Sequence, residues 1–181
     1  MRPVIISIVS KKRSGKTTLL EKLIPELKQR GYRVGTFKHD THGFDIDHEG
    51  KDTYRHKASG AEAVMISCPW KLSLIKDTAE EMPLKQLVDK YMNDMDIVLT
   101  EGFRHANMPQ VEVFRSAAHD MPLHVKGEEN SLFAVLSDRP VDLGVPNLDI
   151  NDFQALADMI EDRFLRAHAK KKSHFRRSDL G

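Results

Sequence analysis

Residues 4–17 read Val4-Ile5-Ile6-Ser7-Ile8-Val9-Ser10-Lys11-Lys12-Arg13-Ser14-Gly15-Lys16-Thr17. An apolar run leads into a basic, polar loop, and Gly-Lys-Thr opens a helix-forming stretch. That order is the setting in which the pattern G-x-x-x-x-G-K-[ST] names a ligand class, nucleoside triphosphate with magnesium. Backbone N–H groups of the loop and the positive end of the helix would cradle phosphate oxygens. Lys16 would reach the β- and γ-phosphates, and the Thr17 hydroxyl would bind Mg²⁺. Ser10 stands where the pattern has its first glycine, and a residue that small makes the turn as long as its φ stays negative. A basic loop that only serves solubility would not need a strand before it and a helix after it.

Working outward, 181 residues suit one domain of ordinary size. The net charge of +1 gives no global field that would argue for nucleic acid or membrane. A single cysteine excludes an internal disulfide framework. Cys68, between Ser67 and Pro69, reads as a small apolar filler at a strand end. No run of 18 apolar residues exists and the N-terminus reads as a strand, so the expected compartment is the cytoplasm.

Strand and helix signals alternate along the chain. Residues 3–9 predict the first strand. Leu19, Leu20, Leu23, Ile24 and Leu27 recur at helical spacing from Lys16 to about Gln29, with Pro25 inside and Gly31 as the stop. Residues 33–38 predict the second strand, which completes a βαβ unit of a parallel sheet. A short helix over 51–59, strands at 63–67 and 72–75, and a helix over 84–92 follow. Strands are expected at 96–100, 111–115 and 132–136, then a last helix capped by Asn151 or Asp152. The fold class is α/β, a three-layer P-loop fold with a mostly parallel, partly mixed sheet over residues 1–165. From Arg166 the chain turns basic and poor in apolar residues, and 166–181 reads as a disordered tail.

Two further stretches carry chemistry. Residues 38–52 begin as the second strand ends, so they face the region where doubly wound sheets bind ligands. Asp45, Asp47 and Asp52 would hold Mg²⁺ through water or activate a nucleophile, and Lys38 and Lys51 would neutralise phosphate. His39, His42 and His48 match no standard zinc spacing. Asp96-Ile97-Val98-Leu99-Thr100 is a buried-strand pattern that ends in Glu101-Gly102-Phe103. Glu101 emerges where a second acidic group is needed beside the phosphate loop, to hold the metal's water shell or orient an attacking water. Gly102 lets the chain turn sharply behind it.

Ser14-Gly15-Lys16-Thr17-Thr18-Leu19, Lys38-His39, Gly50-Lys51-Asp52-Thr53, Ser59-Gly60-Ala61 and Thr100-Glu101-Gly102-Phe103 occur in this order. Together with Asp149-Ile150-Asn151-Asp152 near the end, the chain resembles the molybdopterin-guanine dinucleotide biosynthesis adapter family over residues 4–165. The resemblance implies a P-loop fold, GTP and Mg²⁺ as ligands, slow GTP hydrolysis and a homodimer. It also implies partnership with a MobA-like guanylyltransferase that joins GMP to molybdopterin. By matching positions, Lys12, Arg13, Ser14, Gly15, Lys16, Thr17 and Thr18 form the nucleotide site, with Lys38 nearby. Lys16, Glu101, Asp45 and Asp52 are the candidate catalytic residues, and Thr17, Glu101 and Asp52 the candidate metal residues. No Asn-Lys-x-Asp run reads guanine in this chain, so the guanine preference comes from the resemblance.

Two other readings compete. One is an ATP-dependent small-molecule kinase with Asp45 or Asp52 as base; the other is a nucleotide-gated scaffold without turnover. Nucleic-acid binding through the basic tail is a weaker third. Phe103, Phe114 and Trp70 are the candidates for an exposed interface.

Overall fold

The computed structural model describes residues 2–103, 108–127 and 131–167. The tail expected from 166 on therefore lies, beyond residue 167, outside the described residues. In chain order the elements are β1 (Val4–Val9), α1 (Lys16–Gln29), β2 (Val34–Lys38), α2 (Asp52–Ala58), β3 (Ala63–Cys68) and β4 (Lys71–Lys76). Then come α3 (Leu84–Tyr91), β5 (Ile97–Glu101), β6 (Gln110–Phe114), β7 (Leu132–Ser137), β8 (Asn147–Asp149) and α4 (Phe153–Ile160). A π-helical turn, Glu161–Leu165, continues α4. The chain forms two compact units, one from the residues up to His39 and from Val88 onward, the other from Asp40 to Leu87. The expected 1–165 domain spans both.

In the first unit six strands pair in the order β2-β5-β1-β6-β7-β8, and every pairing is parallel. This is the α/β class that the alternation of signals implies. β1 and β2 are not neighbours, because β5 inserts between them. The strand order reverses at β1, with β2 to one side and β6 to the other, so β1 is the switch point of the sheet. A ligand crevice is expected beyond its carboxyl end.

Burial on both faces explains the near-continuous apolar strands. Ile6, Ile8, Ile97, Leu99, Val111 and Val113 pack with Leu19, Leu20, Leu23 and Leu27 of α1 and Leu156, Ala157 and Ile160 of α4. Pro25 does not break α1. It sits on the exposed side, where water can satisfy the carbonyl it leaves unpaired. The helix ends where Gly31 takes φ 91°, with Gly31 N–H on the Lys28 carbonyl and Tyr32 N–H on that of Leu27. Asp152, not Asn151, caps α4: its carboxylate accepts the Ala155 N–H at 3.0 Å.

The strands also bury Ser7, Thr100, Gln110 and Glu112. These alternate with the residues packed on α1, so they belong to the opposite face. β8 is a strand that its sequence does not announce. Asn147-Leu148-Asp149 has no β-branched residue, and Asn147 is held by side-chain bonds to Val141 N and Ser137 Oγ.

In the second unit β3 and β4 form an antiparallel hairpin in register from Ala63↔Lys76 to Cys68↔Lys71. Met65, Ile66, Trp70 and Leu72 of this hairpin are exposed. Trp70 is 85 % exposed, as its interface candidacy requires, but Phe114 is 2 % exposed and is a core residue of β6. Phe114 is buried because it closes β6, a strand buried along its whole length. Phe103 is half-buried, its ring 4.7 Å from that of His39 and 5.4 Å from that of Phe37. Cys68 is exposed, not a buried filler, because the hairpin end is open to solvent.

Candidate functional site

The loop 10–17 leaves β1 at its carboxyl end. Arg13 takes φ 62° and Gly15 φ 100°, so two left-handed residues curl the loop, as in backbone concavities that bind anions. Gly15 is the N-cap of α1; no side chain caps the helix and no acidic residue lies in its first turn. The positive helix end therefore faces the loop without an internal anion. Ser14 is buried and its hydroxyl donates to the Lys11 carbonyl at 3.2 Å. Lys12, Arg13, Thr17 and Thr18 are exposed.

Ser10 does more than replace a glycine. Its buried Oγ donates to the Lys11 carbonyl at 2.6 Å and accepts a bond from Lys16 Nζ at 2.8 Å. The same ammonium lies 3.9 Å from Glu101 Oε1, and both side chains keep about a fifth of their surface in solvent. Lys16 is thus held at the mouth of the loop between a hydroxyl and a carboxylate. Glu101 ends β5, the strand beside β1, and Lys38 ends β2 in register with it. Lys38 is exposed. Behind Glu101, Gly102 takes φ 104° in close approach to the His39 backbone.

A segment after β6 buttresses the loop, and nothing in the local sequence announced it. Lys11 Nζ donates to the Met121 carbonyl at 2.8 Å, and His119 Nε2 lies 2.6 Å from the Lys12 carbonyl, which makes that nitrogen the donor. Ser116 donates its N–H to Asp138 Oδ1 at 2.8 Å and its hydroxyl to Oδ2 at 3.1 Å. The backbone bond from Ser116 holds the Asp138 carboxyl below the usual range, aided by the Ser116 hydroxyl and by Arg115. The far end of the segment is anchored by Glu112, which accepts the N–H groups of Leu123 at 2.5 Å and His124 at 3.0 Å. His124 also places Nδ1 2.7 Å from Glu112 Oε2 and Nε2 3.1 Å from Gln110 Oε1. Arg115, the first residue after β6, lies with its guanidinium against Gly15. The signal that would have found it is the rule that ligands gather at strand carboxyl ends; it becomes usable once β6 is known to lie beside β1.

Asp45, Asp47 and Asp52 belong to the second unit. Asp45 is exposed and, with Phe44, Asp47, Tyr54, Lys57 and Asp77, lines a cleft of about 500 Å³. Asp47 Oδ2 is buried there without a hydrogen-bond partner among the described residues. Asp52 is the exposed first residue of α2. Among the described residues no three His, Cys, Asp or Glu side chains converge as a metal cluster. None of the described helices is long and apolar enough to cross a membrane.

Residues 5–138 match the family model described as molybdopterin guanine dinucleotide synthesis protein B. A molybdopterin-guanine dinucleotide biosynthesis adapter protein of Escherichia coli (strain K12) is 38% identical over 150 residues, covering 81% of this chain and 85% of that one. Its counterpart in Haemophilus influenzae is 32% identical over 168 residues, covering 92% and 93%. A crystal structure of molybdopterin-guanine biosynthesis protein B superposes with a TM-score of 0.69 at 31% identity, covering 90% of this chain and 99% of the other. The Bacillus subtilis MobB structure has the same fold at TM-score 0.69 and 24% identity, covering 88% and 96%. With the phosphate loop, the strand order and these likenesses in agreement, the chain belongs to the MobB family of molybdopterin guanine dinucleotide synthesis proteins.

Proposed function

We propose that this chain binds GTP with Mg²⁺ on the loop from Ser10 to Thr18, turns it over slowly, and as a homodimer assists a guanylyltransferase that joins GMP to molybdopterin. Its place in molybdopterin guanine dinucleotide biosynthesis follows from its family. The observation that carries the nucleotide reading is the position of Lys16, 2.8 Å from Ser10 Oγ and 3.9 Å from Glu101 Oε1 at the switch point of the sheet. From that position the ammonium can reach phosphate oxygens cradled by the loop N–H groups.

The residues present fit Mg²⁺. The Thr17 hydroxyl is exposed at the first turn of an uncapped helix, and Glu101 stands on the neighbouring strand end. Thr17 would hold the ion directly and Glu101 through water; when bound, Mg²⁺ neutralises charge on the β- and γ-phosphates. The chain's own part is to fix the phosphates with loop N–H groups and Lys16, and to orient water with Glu101. Attack of that water on the γ-phosphorus breaks its bond to the bridging oxygen and releases GDP and phosphate, to which the water's proton passes. Asp52 and Asp45 remain candidates from the second unit.

The role is tested by dinucleotide formation from molybdopterin and GTP by a purified guanylyltransferase, with and without this chain. The account expects stimulation by the wild type and none by Lys16→Ala. Equal product in all three reactions refutes the adapter role.

A further inference from the structure

We propose that Arg115 is a phosphate-contacting residue of this site, a cation supplied in cis from the carboxyl end of β6. The inference rests on the reading of the loop as a nucleoside triphosphate site. A Cβ built on Gly15 would stand 3.5 Å from Arg115 Nη2 and 4.0 Å from Nε, so the guanidinium lies directly against the glycine that opens α1. Its place follows from topology. β6 runs parallel to β1 with Val9 opposite Glu112, which brings the residues after both strands to the same edge.

The backbone of Arg115 is fixed. Its carbonyl accepts the N–H groups of Ala118 at 3.1 Å and His119 at 3.2 Å, and the next residue is clamped to Asp138. Its side chain is not: among the described residues the guanidinium has no hydrogen bond and no ion pair within 4.0 Å. A half-buried arginine on a rigid stem, whose donors meet no acceptor among the described residues and whose charge acts on Asp138 from beyond ion-pair range, is placed to take an incoming acceptor. Charge points to the class of acceptor. Lys11, Lys12, Arg13 and Lys16 already occupy this loop in a chain of net charge +1. Glu101 beside Lys16 and Asp138 near Arg115 offset only part of this charge, so a polyanion would meet an excess of cations. A guanidinium meets phosphate in a bidentate fork, which neither the loop lysines nor the backbone provide. Gly15 has no side chain to block that approach.

The alternative is that Arg115 only packs over Gly15 and holds the loop in shape. Titration of wild type, Arg115→Ala and Arg115→Lys with GTP and with tripolyphosphate, both with Mg²⁺, separates the two. Thermal unfolding without ligand serves as the fold control. Loss of one charge-assisted bond pair predicts affinities weaker by about tenfold or more for Arg115→Ala, equally for GTP and tripolyphosphate. Arg115→Lys should recover part of the loss, and the unliganded unfolding temperatures should coincide. Arg115→Ala that binds both ligands like wild type overturns the proposal and leaves the loop reading intact. A loss confined to GTP, or one that tracks a lower unfolding temperature, overturns the phosphate contact. Wild type that binds neither ligand overturns the loop reading itself.

Discussion

Gly102→Ala tests how the end of β5 is built. Gly102 has φ 104°, and an added Cβ would stand 2.8 Å from the His39 carbonyl oxygen and 3.3 Å from His39 Cβ. The two backbones cannot separate freely, because His39 N–H donates to the Glu101 carbonyl at 2.9 Å. The left-handed conformation costs an alanine ~1–2 kcal/mol. Forcing a methyl against a fixed carbonyl adds ~1–3 kcal/mol. The lower entropy of the unfolded alanine chain offsets ~0.4–1 kcal/mol of this. The net destabilisation is therefore ~1–5 kcal/mol. Gly31→Ala is the control, since Gly31 has φ 91° with nothing within 4 Å of the added carbon. It carries the conformational cost less the unfolded-state offset, ~0–1.5 kcal/mol. Urea unfolding of wild type and both variants reads the difference, and the melting temperature of Gly102→Ala should fall by roughly 2–20 °C. GTP turnover should fall too, since the displaced backbone carries Glu101. A Gly102→Ala variant within ~0.5 kcal/mol of Gly31→Ala would refute the steric argument.

Lys16→Ala should weaken GTP binding by about a hundredfold or more while leaving the unfolding temperature near wild type, as isothermal titration and calorimetric scans will show. Glu112→Gln should cost ~2–4 kcal/mol, because a buried amide cannot accept all three N–H groups now on the carboxylate; amide exchange at Leu123 and His124 should quicken. Leu23→Ala empties a fully buried site under the sheet and should cost ~2–5 kcal/mol in urea unfolding. A hydrogen bond from Tyr32, then those of Arg30, hold Glu161 below its ordinary 4.5, so its contribution is complete above pH 4.5 and is lost as pH falls through the lower folded value. Burial first and Glu161 second push Tyr32 up to about 12, so its contribution is complete below pH 10 and is lost as pH rises toward 12. Tyr32→Phe should flatten both limbs of the stability–pH profile, and unchanged limbs would contradict this pairing.

The placement of the loop and of Glu101 at strand ends was legible because its signals are local: an apolar strand run followed by polar residues. Arg115 was not, because its role depends on β6 lying beside β1, a pairing between residues about a hundred positions apart. Glu112 misleads for a related reason. Val111-Glu112-Val113 alternates as a half-exposed strand would, yet the segment to His124 folds over that face and supplies the carboxylate with donors. Ser10 read as a departure from a pattern, and its Oγ turns out to hold Lys16. The insertion of β5 between β1 and β2 carries no local mark either, since parallel strands separated by helices read alike in any order. The chain's division at residues 39/40 falls at a strand end where a polar run begins, a run that read as a ligand-facing loop, and the division at 87/88 falls within α3.

The central claim is that the loop after β1 binds GTP with Mg²⁺ through Lys16. Isothermal titration of the wild type with GTP and ATP, in Mg²⁺ and then in EDTA, tests it most directly. The account predicts binding that prefers GTP, needs Mg²⁺ and disappears in Lys16→Ala. Preference for ATP, or GTP binding that survives both EDTA and the loss of Lys16, would contradict it.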